Sequence, residues 1–147
     1  MIADNIRGSI IKFTNGLITD INALNSTSFQ FVDWDTHANM HEIPQVDLLG
    51  PNALAWRADD TFCEITVAIG VSTINDANLF KSWGAISYIF EKLLPKKTIP
   101  FYESSTQVVR SYMIVVDGTT VAPMSRAEIR PYQFVQASLL LETSFGN

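Results

Sequence analysis

The sequence predicts an α+β fold: two helices packed on a mostly antiparallel sheet, in the order α-β-β-β-α-β-β-β with a long C-terminal hairpin. Three observations carry this. Ile2, Ile6, Ile10, Phe13, Leu17, Ile21 and Leu24 recur at steps of three or four, which lines one face of a helix. Leu79, Trp83, Ile86, Phe90 and Leu93 repeat the pattern later in the chain. After each helix come segments with the two-residue alternation of strands, clearest over positions 61–73.

Taken in order, the first helix is expected over 2–24 and ends where Asn25, Ser26, Thr27 and Ser28 favour a turn. Gly8 and Gly16 lie off its stripe, each at a cost of ~1 kcal/mol of helix propensity relative to alanine. They read either as tolerated glycines or as points where a neighbouring backbone approaches. A short strand follows over 29–34, then a polar loop over 35–42 and a second strand over 43–49. Pro44 confines that second strand to an edge or a strand start. Gly50, Pro51 and Asn52 mark a turn, with an irregular stretch to Asp60.

The strand over 61–73 has one wholly apolar face, Cys63, Ile65, Val67, Ile69 and Val71, and one mixed face, as in a sheet covered by helices on one side. Asn75 and Asp76 are suited to cap the second helix, which is expected to reach about Leu94 before Pro95, Lys96 and Lys97. A short extended piece over 98–102 precedes a long strand over 107–116, with Val108, Arg110, Tyr112, Ile114 and Val116 on one face. Asp117, Gly118, Thr119 and Thr120 signal a turn, and Pro123 and Met124 sit in a connector over 121–127. Pro131 delays the last strand, 128–143, so that pairing is expected to begin near Tyr132. The two long terminal strands are expected to form one projecting hairpin. The helices are expected to bury Ile6, Ile10, Phe13, Leu17, Trp83, Ile86 and Phe90.

The chain of 147 residues reads as a single α+β domain over 1–147, a size that buries ~70% of the unfolded surface. Charged residues make up 17%, below the ~25% usual for soluble domains. Either a polar uncharged surface or burial against another protein follows. The net charge of −5 argues against a nucleic-acid binder that works by counterion release. Cys63 is the one cysteine, so no internal disulfide or cysteine metal cluster is expected, and an inert core thiol is. Asp4 and Arg7 interrupt the first apolar residues, unlike a signal peptide. No apolar run reaches the length of a membrane span, so the sequence alone predicts a soluble, cytoplasmic protein.

Candidate chemistry is sparse. Asp33, Asp35, His37, His41 and Glu42 cluster, but the order H-x-x-x-H-E places no glutamate between the histidines to act as base. A solvated loop is expected there, with no metal. Phosphate-binding glycine loops and nucleophile elbows are absent from the sequence, so no catalytic residue, cofactor or enzymatic activity is expected. Arg110, Arg126 and Arg130 group around the terminal strands. They suit either phosphate or a carboxylate on a neighbouring chain, or pairing with Glu103 or Glu128. Trp56, in an irregular segment, and Tyr132 and Phe134, on the last strand, complete a candidate subunit or partner interface of residue types common at such surfaces.

The helix over 2–24, the strand over 62–71 running into the helix over 75–94, and the strands over 107–116 and 132–143 together resemble the tail-terminator and neck (head-tail completion) proteins of tailed bacteriophages. The resemblance covers nearly the whole chain in order and length and rests on no diagnostic motif. It implies a virion structural protein, a homo-hexameric ring that stops the growth of the tail tube. The implied partners are other copies of the chain, the tail tube protein and the head-side connector protein. Genomic DNA would pass through without specific binding, which suits an acidic ring, and no membrane is involved. The implied location is the virion tail or neck, and the bacterial cytoplasm during assembly. Loops 35–42 and 117–127 are expected among the ring contacts. The alternative from a different class is a small-ligand-binding or isomerase-like α+β cone domain, with Asp33, His37, Tyr112 or Tyr132 lining a pocket.

Overall fold

A computed structural model describes residues 2–33, 45–48, 53–56, 62–72, 79–123 and 132–142. Helix α1 (Ile2–Asn25) is followed by strands β1 (Gln30–Asp33), β2 (Gln45–Leu48), β3 (Ala53–Trp56) and β4 (Phe62–Ser72). Helix α2 (Leu79–Lys92) then leads into β5 (Thr98–Tyr102), β6 (Val109–Val115), β7 (Thr120–Pro123) and β8 (Tyr132–Glu142). The described strands form one sheet in which all pairings but β1–β2 are antiparallel. The expected fold class holds, and two short strands, β3 and β7, occupy segments that read as irregular in sequence.

The spine of the sheet is the β4–β8 ladder, which pairs Phe62 with Glu142 at one end and Ser72 with Tyr132 at the other. Its inner face carries Cys63, Ile65, Val67, Ile69 and Val71 beside Val135, Ala137, Leu139 and Leu141, all buried. The helices bring Ile6, Ile10, Leu17, Ile18 and Ile21 from α1, and Ala85, Ile86 and Ile89 from α2, into the same cluster. Each isoleucine fully buried in this way stabilises by about 1.5–3 kcal/mol relative to exposure. Burial also pushes the Cys63 thiol above its ordinary pKa, the state of an inert core cysteine.

The face of α2 turned inward differs from the expected stripe. Ala85, Ile86, Ile89 and Leu93 are buried, whereas Trp83 is 49% exposed and Phe90 packs only partly against the core. At 3.6 residues per turn, Trp83 lies about 120° round the helix from Ile89, which is the edge of the apolar face. The small Ala85 completes that face in its place. On α1, Phe13 is half-buried and Leu24 is exposed at the helix end.

Buried polar groups on α1 are satisfied locally. The Ser9 hydroxyl donates to the Asn5 carbonyl at 2.6 Å and the Thr14 hydroxyl to Ile10 at 2.8 Å, the back-bonding open to such residues within a helix. Asn22 organises the turn into β1: its Oδ1 accepts from the Phe29 N–H and the Thr27 hydroxyl, each at 2.8 Å, and its Nδ2 donates to the Phe29 carbonyl at 3.0 Å. The two helices approach closely at Gly84, where a Cβ would lie 3.3 Å from the Asn25 side chain. Of the two α1 glycines, Gly8 faces Ser104 of this same chain and a Cβ on Gly16 would meet nothing within 4 Å.

The terminal strands pair less than a long hairpin would. β6 meets β8 only through Ile114 with Leu140 and Val115 with Leu139, while β8 lies mid-sheet between β4 and the β6 and β7 strands. The apolar residues of β8 require that central place, since its inner face is buried along the whole of β4. The hairpin that extends from the sheet is instead β5–β6, paired from Thr98 with Ile114 to Tyr102 with Val109.

The two halves of the chain are built alike around the β4–β8 spine. β3 lies on positions 63–66 of β4, and β7 on positions 133–136 of β8, the same rungs counted from each strand's first residue. β2 lies on 69–72, and β6 on 139 and 140, again at matching rungs. The approximate two-fold axis passes through the middle rung, Val67 with Ala137. It is broken at the outermost strands, where β1 runs parallel to β2 and β5 antiparallel to β6.

Candidate functional site

The β5–β6 hairpin is an arm joined to β8 by two rungs of β6 and the Val116 N–H to the Ser138 carbonyl, 2.9 Å, and braced from one side by α1. The Tyr102 N–H donates to Ser9 Oγ at 2.8 Å, and the Ser104 N–H to Asn5 Oδ1 at 2.9 Å. Lys12 places Nζ 3.8 Å from the centre of the Tyr102 ring and donates to Gln107 Oε1 at 3.3 Å. The tip is held by the Gln107 N–H to the Glu103 carbonyl at 2.7 Å and the Glu103 N–H to the Val108 carbonyl at 3.0 Å. Gln107 takes a left-handed φ of 58°, uncommon outside glycine, to close this turn. The Glu103 carboxylate also accepts from the Ser105 and Thr106 hydroxyls.

The arm has two unlike faces. Ile99, Phe101, Met113 and Val115 point inward and are buried. Tyr112 and Ile114 point outward and are 52% and 48% exposed, and Val108 at the tip is 51% exposed. The backbone edge of β5 offers few free N–H groups. The Tyr102 N–H is directed away from β6 and is taken by Ser9. Pro100, two residues earlier and so on the same side, has no N–H to offer. Further strand addition at this edge is disfavoured, and what the arm presents is its outer face.

The helix layer carries its own exposed apolar groups, Leu24 at 69% and Trp83 at 49%. Trp83, Ser87 and Glu91 follow one another at helical spacing along the exposed side of α2. On the adjoining side, the Tyr88 hydroxyl donates to Asp20 Oδ2 at 2.8 Å, and Lys92 Nζ lies 5.4 Å from the ring centre. Desolvation first, then the hydrogen bond and charge of Asp20, then the charge of Glu91, raise the Tyr88 pKa above its ordinary value. Between α1, the end of α2 and β5 lies an open groove of about 380 Å³, lined by Lys12, Phe13, Gly16, Asp20, Lys92 and Tyr102 among others.

Of the interface candidates read from sequence, Arg110 stands on the arm, where its Nε contacts Glu103 Oε2 at 3.2 Å with the guanidinium side chain about half exposed. This is one of the carboxylate partners the sequence suggested for it. Phe134 is half-buried in β8, opposite Gly70 of β4 and Ala122 of β7. Tyr132 opens β8 opposite Ser72, and Trp56 ends β3 opposite Cys63. Trp56 belongs to a regular strand and not to an irregular segment. Arg126 and Arg130, and the His37 and His41 loop, lie outside the described residues. Arg110 is therefore separated from Phe134, which sits near the opposite end of β8 from the rungs that β6 uses.

The outward apolar set of Tyr112, Ile114 and Val108 was only half visible in sequence. Both faces of β6 read as apolar there, since Met113 and Val115 alternate with Tyr112 and Ile114. Periodicity alone does not say which face the helices cover. Of the residues named for the alternative pocket, Tyr112 stands on the outer face of the arm, half exposed, and His37 lies outside the described residues. Among the described residues no three His, Cys, Asp or Glu side chains converge as metal ligands, and no helix is long and apolar enough to cross a membrane. Neither a protein-family model nor a curated protein matches this chain.

Proposed function

We propose that this chain is a structural virion protein that closes into a ring, most simply of six subunits. In this reading the ring terminates the tail tube of a tailed bacteriophage and joins it to the head-side connector. The observation that supports this best is the apolar surface left on both layers of the domain: Tyr112, Ile114 and Val108 on the sheet side, Trp83 and Leu24 on the helix side. Unlike patches on opposite layers suit head-to-tail association, which yields a closed ring when the rotation between subunits closes. The net charge of −5 suits a channel that lets DNA slide, because like charge suppresses phosphate binding. The role is one of assembly and not of catalysis.

The test is to image particles assembled with and without the chain. Without it, tail tubes are expected to vary in length and to carry no ring at the head-proximal end, and supplying the chain is expected to restore both. Tubes that end at uniform length in its absence, or restored particles with no added density at the tube end, overturn the reading.

A further inference from the structure

We infer that the outer face of the β5–β6 arm docks on the exposed side of α2 of a second copy of this chain, with Ile114 set against Trp83, Tyr112 against Ser87, and Arg110 against Glu91. The inference rests on the ring reading above and names its contact. The two surfaces match in length. Trp83 to Glu91 spans about 12 Å along a helix rising 1.5 Å per residue. Ile114 to Arg110 spans about 13 Å along a strand, with the exposed Arg110 at the bulge where the pairing shifts from Phe101 with Ser111 to Tyr102 with Val109. They also match in chemistry. Each begins with an apolar group about half exposed, Trp83 and Ile114, and ends with a charge of opposite sign, Glu91 and Arg110.

Arg110 contacts Glu103 through Nε. A guanidinium carries five donors in a planar fork, so it is equipped to take a second carboxylate without surrendering the first. The arm stands on the sheet side of the domain and α2 on the helix side. The contact is therefore between unlike surfaces and repeats from subunit to subunit, as a ring requires. Tryptophan, tyrosine and arginine are the residue types that dominate binding energy at such surfaces. The edge of β5, with Pro100 lacking an N–H and the Tyr102 N–H bound to Ser9, disfavours strand addition and leaves this face as the surface for association.

The test is disulfide trapping in the full-length chain, with Ser87→Cys and Tyr112→Cys made singly and together. Cys63 is fully buried and stays out of the reaction. Under mild oxidation the double variant is expected to give an intermolecular ladder that stops at a closed oligomer, and each single variant is expected to form no intermolecular disulfide. Charge reversal in the double-cysteine background supplies the second measurement. Glu91→Arg or Arg110→Glu alone is expected to lower the trapped fraction at least about threefold, since like charges are then juxtaposed, and the two together to restore it. No ladder, trapping in the single variants to the same extent, or reversals that do not rescue one another overturn the contact. Because the ladder reads the contact and tube ends read the function, a chain that caps tubes without trapping sinks only the contact, and one that traps without capping sinks only the ring's role at the tube.

Discussion

At the residue scale, the sharpest lesson is at Trp83. As a large apolar residue in register with Leu79, Ile86 and Phe90, it has every sequence mark of a core side chain, yet half of it is in solvent. A periodic stripe wide enough to contain both Trp83 and Ile89 is wider than the face a sheet can cover, and Ala85, invisible as a core residue by size, decides which side turns in. The energetics follow from burial. Ile89→Ala is expected to cost about 2–5 kcal/mol, the range for truncating a fully buried aliphatic chain. Trp83→Ala is expected to cost about 1 kcal/mol or less, as for a surface position. Urea denaturation of the two variants against the parent checks this, and equal losses would mean that Trp83 is packed after all. Arg110 shows the opposite outcome: one of the partners suggested by sequence, Glu103, is the one it contacts.

At the element scale, the two helices and the long strands were legible because each runs long enough for a period to show. The helix of Ile6, Ile10, Leu17 and Ile21 and the strand of Ile65, Val67 and Ile69 hold their periods throughout. The short strands β3 and β7 were not legible, since four residues such as Ala53–Trp56 or Thr120–Pro123 carry no period and owe their form to the ladders of β4 and β8. The arm was assigned to the wrong pair of strands for a related reason. Length in sequence says that β6 and β8 are long, but register decides that β6 gives most of its length to β5. Among the contacts by which α1 braces that arm, the one made to the edge of β5 itself is the Ser9 hydroxyl, which both donates to Asn5 and accepts from the Tyr102 N–H. Ser9→Ala removes the acceptor and leaves a part-buried N–H without it, which is expected to cost about 1–3 kcal/mol. Amide hydrogen exchange is the direct measure: Tyr102 should exchange markedly faster in the variant while the β4–β8 rungs keep their protection. Unchanged exchange at Tyr102 would show that the edge of β5 is held by something else.

At the scale of the whole molecule, the echo seen in sequence as helix-then-strands, twice, goes further than the order of elements. β3 and β7 occupy the same rungs of their long strands, β6 takes two of the four rungs that correspond to those of β2, and the two halves meet along one ladder whose middle rung is Val67 with Ala137. The sequence carried the order but not the rungs, because pairing partners far apart in the chain leave no local trace. A chain built this way does not use the order of its halves: each half keeps its own helix and four strands, and the ladder between β4 and β8 joins residues remote in sequence whichever half comes first. A circular permutant tests this. New ends are opened between Ile74 and Asn75, and Asn147 is joined to Met1 through about ten glycine and serine residues, which reach roughly 18 Å on average as a flexible coil. The permutant is expected to keep the far-ultraviolet dichroism of the parent and a single cooperative unfolding transition. Its slope in urea should match the parent's, because the surface buried on folding is the same. A permutant that is unfolded, or that melts in two separate steps, would show that the first half must precede the second for the spine to form, and that the matching rungs do not make the halves interchangeable in order.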